Sequence, residues 1–283
     1  MPLRKRSHQL CLVVLPLALV LCSLAACGKS QAVKDAESKE VVFRDKYAKA
    51  KALFEERCRT AGVVIKRTVK DVEGIELTKL RQSIPWGGKE YFDPMYPEAA
   101  MASENRGDDY IKQFLMTEFR YVNLPDRRGG LGPGLQARDS RDLPPIRGYR
   151  FIEYVDGSGT RFRCVPTWKE GDSNWVPGQH RCDVVKQSSV RYALDYEDSV
   201  ERGDRALWIA GTQLKVVDKK TGEEIARLTR FVWEAGFGSS STGRWPWQYA
   251  NSAATTCPSD ANRFKHNDSR YFVDAVLIPK QGD

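Results

Sequence analysis

Few residues in this chain are placed to do catalytic chemistry. Beyond the apolar N-terminal segment there are two histidines, His180 and His266. A metal cluster, or a serine nucleophile with a histidine base, would need one of them. His180 stands two positions before Cys182, and His266 lies in the polar run Lys265-His266-Asn267-Asp268; both read as surface histidines. The stretch Gly238-Ser239-Ser240-Ser241-Thr242-Gly243 lacks the Gly-x-Ser-x-Gly spacing of a nucleophile elbow. Gly129-Gly130-Leu131-Gly132-Pro133-Gly134 lacks the dinucleotide-binding spacing, and no Gly-Lys-Ser/Thr follows it. No cysteine pair has Cys-x-x-Cys spacing, which points away from metal binding and dithiol redox work. The reading is a non-enzymatic protein without metal or cofactor.

The cysteines divide by position. Cys11 and Cys22 lie in the apolar N-terminal run, Cys27 ends it, and Cys58, Cys164, Cys182 and Cys257 remain. Four cysteines in an exported chain imply two disulfides with three possible connectivities. The short separation favours Cys164–Cys182, and Cys58–Cys257 then follows by exclusion. Trp245, Trp247 and Tyr249 sit in a Pro/Gly loop, where rigid aromatics either anchor a protein or glycan partner or fold back on the core. Arg161 and Arg163 alternate with Phe162 and Cys164, giving a strand with one basic and one buried face. With Arg127 and Arg128 they are candidates for an acidic partner.

The N-terminus carries Arg4, Lys5 and Arg6, an apolar run from Leu10 to Leu24, and then Leu24-Ala25-Ala26-Cys27. This order forms a secretory signal. Its last four residues resemble the lipobox of bacterial lipoproteins. The resemblance implies a diacylglycerol on the Cys27 thiol, cleavage before Cys27, and acylation of the new amine. Several acyl chains give a stable membrane anchor where one gives marginal binding. Gly28, rather than aspartate, after the cysteine implies the periplasmic face of the outer membrane. Export argues against nucleic acid as a partner. No later segment reaches 18 continuous apolar residues. The net charge of +8 falls to +5 when Arg4, Lys5 and Arg6 leave with the signal, a mild bias toward anionic surfaces.

The expected organisation is a signal peptide over residues 1–26, an acylated cysteine and flexible tether over 27–42, and a globular α+β body over 43–283, with an internal boundary allowed within 125–147. Gly28–Lys39 is polar and reads as the tether. Phe43, Tyr47, Ala50, Phe54 and Cys58 recur at helical spacing, and Gly62 stops the helix. Branched residues over 63–69 and 72–77 predict strands. Residues 83–107 read as a long loop, 108–116 as a short helix, 119–122 as extended and 125–145 as irregular surface loop. Hairpins are predicted over 149–165 and 207–233. The apolar run Tyr271–Ile278 predicts a closing central strand. The fold class is an N-terminal helix packed on a mainly antiparallel sheet, stabilised by disulfides.

Phe54, Arg57-Cys58, Ala61-Gly62, Ile65, Arg67-Thr68-Val69 and Val72-Glu73-Gly74 resemble a segment of proteobacterial lipoproteins. Some of those are encoded beside secreted antibacterial effectors and resemble periplasmic immunity proteins. The resemblance implies a lipid-anchored protein that binds and neutralises an effector. The alternatives are a periplasmic hydrolase working through His180 or His266, and a structural envelope lipoprotein contacting peptidoglycan.

Overall fold

The computed structural model describes residues 30–85, 88, 90, 93–116, 148–167, 179–237, 247, 255–258 and 268–280, and the paired backbone of 119–125 and 131–137. The segment 1–26 expected to be a signal, Cys27, Arg127, Arg128, Trp245, Tyr249 and His266 lie outside the described residues. The chain forms two compact units, 1–46 and 47–283.

Helix α1 (Gln31–Cys58) begins well before the predicted Phe43, so the polar stretch read as a tether is helical from Gln31 onward. Two local signals account for this. Ser30 is the N-cap, its Oγ accepting the Val33 N–H at 3.4 Å, and no glycine or proline interrupts the chain to Cys58. Residues 31–45 are exposed. Toward its C-terminus the helix buries Ala50 and Phe54, and Tyr47 and Phe54 pack on Trp233 with ring centroids 4.9 and 5.7 Å away.

The second unit is organised on a nine-stranded sheet. Its strands are β1 (Gly62–Ile65), β3 (Gly74–Leu77), β6 (Phe151–Val155), β7 (Arg161–Thr167), β8 (Gln179–Val184), β9 (Tyr192–Ser199), β10 (Ile209–Asp218), β11 (Glu223–Trp233) and β12 (Thr256–Cys257). The order is β1-β11-β10-β9-β3-β6-β7-β8, and β12 also pairs with β11. Only β3 runs parallel to its neighbours β6 and β9, so the sheet is mixed and mainly antiparallel, and the fold is α+β. Both predicted hairpins form, as β6/β7 and β10/β11. The β10/β11 turn closes on Gly222 (φ +73°), whose N–H donates to the Asp218 carbonyl.

The main core lies between this sheet and two helices. Ile75, Leu77, Ile152, Leu194, Leu214 and Leu228 meet Tyr110 and Phe114 of α2 (Asp108–Leu115), and Phe272, Val273 and Val276 of a C-terminal helix. That helix spans Asp268–Val276 and replaces the central strand predicted there; only Leu277–Pro279 is extended, pairing with β2 (Val69–Val72). The apolar run misleads because Phe272, Val273 and Val276 stand at i, i+1 and i+4, which is one face of a helix. A second correction concerns 125–145. β4 (Phe119–Pro125) and β5 (Leu131–Ala137) pair antiparallel, with Pro133 opposite Asn123. A two-stranded ribbon tolerates proline because half of its amides need no partner.

Candidate functional site

Parallel pairing of β3 and β6 sets Glu76 directly beside Glu153. Glu153 is fully buried and Glu76 nearly so. Arg163 Nη2 donates to Glu153 Oε1 at 2.8 Å, and Ser189 Oγ donates to the same oxygen at 3.1 Å. Arg161 lies 2.9 Å from Glu76, and Lys219 also binds that carboxylate. Burial works to raise both carboxyl pKa values. These donors outweigh it and hold both below their ordinary range. Two carboxylates that both stay ionised are matched to ion pairing, not to sharing a proton. The basic face expected at Arg161 and Arg163 is thus occupied from within: their guanidiniums neutralise buried acids of the same sheet.

Both disulfides form, with the favoured connectivity. Cys164 and Cys182 sit opposite each other on β7 and β8, Cα atoms 4.0 Å apart; Cys58 and Cys257 join the end of α1 to β12, 5.5 Å apart. His180 offers a ring nitrogen within 4.8 Å of both Cys164 and Cys182 sulfurs. Those sulfurs are bonded to one another, so neither is the thiolate that a metal requires.

A buried charged cluster draws on five separate segments. Arg81 is fully buried, 3.3 Å from both Asp198 and Glu98, with its guanidinium 4.0 Å over the Tyr196 ring. Arg106 also pairs with Glu98. Arg205 donates to the carbonyls of Pro97 (3.2 Å) and Ser199 (2.9 Å), and burial pushes it down to about 10. Glu104 accepts the Ser269 N–H at 2.8 Å; burial, with Asp268 adding to it, pushes its carboxyl up to about 7. Trp247 belongs here rather than on a free surface. It is 2% exposed, donates its indole N–H to the Asp93 carbonyl at 3.3 Å, and carries Arg205 5.0 Å from its ring. Of the three aromatic anchor candidates, the described one is a core residue. Neither Arg81 nor Glu104 has a sequence signal, since the Arg81–Asp198 and Glu104–Ser269 contacts join positions more than a hundred residues apart.

The remaining feature is an edge. β1 lies on the outer side of β11, and its residues Val63, Val64 and Ile65 are 40%, 61% and 40% exposed. β12 continues the same edge along β11, next to Cys58–Cys257. Arg59, Lys66 and Lys70 flank β1 in sequence; all three are exposed and, among the described residues, pair with no carboxylate. An apolar edge strand with unpaired backbone groups is a template for adding another strand. Comparison with protein-family models, curated proteins and solved structures finds no match.

Proposed function

We propose that this protein is an envelope-anchored binding protein that acts by occluding a protein partner, most concretely an immunity-type protein that neutralises a secreted antibacterial effector. Cys27 carries the lipid, and the anchor holds the body at the periplasmic face of the outer membrane. The observation that carries the reading is the exposed apolar edge strand Gly62–Ile65, an uncharged end of the sheet of the kind that takes an added strand. It lies inside the segment, Phe54 to Gly74, whose residues resemble the immunity-type lipoproteins.

A protection assay tests the role. Cells that express the chain survive periplasmic delivery of the effector encoded beside it, and cells that lack it die. Equal killing of both, or the absence of an adjacent effector gene, removes the role. Labelling with palmitate tests the anchor separately: incorporation disappears in Cys27→Ser, and label retained by that variant contradicts the lipidation site.

A further inference from the structure

The backbone of β1 says which groups a partner would meet. Lys66 donates its N–H to the Ile225 carbonyl at 2.9 Å, and Trp233 donates to the Thr255 carbonyl at 2.8 Å. The odd-numbered residues of β11 therefore turn their amides and carbonyls toward β1 and β12. In the register Gly62↔Thr229, Val63↔Leu228, Val64↔Arg227, Ile65↔Ala226, it follows that Gly62 and Val64 are bonded to β11. The N–H and C=O groups of Val63 and Ile65 point away from the sheet.

We infer that β1 accepts an extended, acidic segment of a protein partner as an additional strand, bonded through the outward amides and carbonyls of Val63 and Ile65. The side chains choose the occupant. Val63, Val64 and Ile65 present apolar surface to alternate residues of the incoming strand, and Arg59, Lys66 and Lys70, exposed and without a carboxylate partner among the described residues, select carboxylates beside it. A second copy of this chain is a poor occupant, because pairing β1 with itself would bring those cations together. A bilayer of anionic lipid matches the charge and the valines but leaves the outward amides without acceptors in regular register. This inference rests on the partner-binding reading above.

The test uses the full chain carrying Cys27→Ser. Three probes are needed: a capped seven-residue peptide alternating valine and threonine with aspartate at both ends, the same peptide with lysine at both ends, and vesicles of phosphatidylglycerol and phosphatidylcholine. Fluorescence anisotropy reads peptide binding and co-sedimentation reads the vesicles. The aspartate peptide binds about tenfold more tightly than the lysine peptide. Ile65→Pro removes one outward donor while leaving the bonds to β11, and weakens binding roughly five- to tenfold at unchanged Tm. Val64→Asp, which keeps every backbone group, weakens it as well, so the result does not depend on the proline variant folding. Lys66→Glu with Lys70→Glu inverts the preference between peptides. Equal binding of the two peptides, or binding indifferent to both Ile65→Pro and Val64→Asp, overturns the inference. Vesicle binding without peptide binding also overturns it and names a lipid surface instead. Protection lost while peptide binding persists removes the immunity role and supports the strand site; protection kept while peptide binding is absent removes the strand site and leaves the role.

Discussion

At one end of the sheet, β8 presents Gln179, Arg181 and Asp183 to solvent, with Arg181 and Asp183 paired at 3.0 Å. It is bonded covalently to β7 through Cys164–Cys182. At the other end, β1 is four residues of glycine, valine and isoleucine without a charge. The Cys58–Cys257 disulfide ties the helix that precedes β1 to the strand that extends its edge. Charged side chains on an edge discourage strand addition, and an uncharged branched edge invites it. The two edges thus show the same sheet finished in one place against association and left open to it in another. Exposed valine alone does not make the difference, since Val184 on β8 is 66% exposed; the charges around it do.

The largest effect that separates the two ends comes from the disulfides. In the chain-entropy model, a crosslink spanning 199 residues is worth about 5 kcal/mol and one spanning 18 residues about 3 kcal/mol, before any native strain. Chemical denaturation of Cys58→Ser with Cys257→Ser, against Cys164→Ala with Cys182→Ala, reads this order. The reverse order would show that the long crosslink constrains little. Only the first pair is expected to loosen β1, seen as faster amide exchange over 62–65.

Glu104 provides a control in the interior, away from both edges. Its ordinary pKa of 4.5 rises to about 7 in the folded chain. Below pH 4.5 it is protonated in both folded and unfolded states and has no effect. Between 4.5 and 7 the folded state holds the proton more tightly, so stability falls as pH rises. Above 7 the full cost remains, on the order of 3 kcal/mol. Glu104→Gln is expected to gain stability over the native chain across that window, and denaturation curves at pH 4 and pH 8 measure the gain. Binding of the aspartate peptide at a fixed pH stays the same, because the edge is unchanged. The smallest stability effect belongs to the edges themselves. Val64→Asp and Val184→Asp are each expected to shift stability by about 0.5 kcal/mol or less, yet only Val64→Asp weakens peptide binding. Equal loss in both would erase the distinction between the edges.

Local pattern made part of this legible. A polar turn with a glycine at position 222, between apolar and branched arms, points to the β10/β11 hairpin, and short separation points to Cys164–Cys182. Residues 63–65 were recognisable as a strand, but their place at the edge was not, because strand order depends on β11, some 160 residues later. Arg161 and Arg163 were recognisable as alternating with buried positions, but their partners Glu76 and Glu153 come from β3 and β6. The C-terminal run reads as a strand and folds as a helix because branched residues serve a strand and a buried helix face equally well over eight residues. Ser30 and the unbroken run after it mark the early start of α1, and a polar composition hid that signal.

The most direct measurement is amide hydrogen exchange of the full chain carrying Cys27→Ser, with and without the aspartate-ended peptide. Slowed exchange at Val63 and Ile65, with Gln179–Val184 unchanged, is the predicted result. Slowing at Gln179–Val184, or no slowing at Val63 and Ile65 when the peptide is bound, contradicts the assignment of β1 as the docking strand.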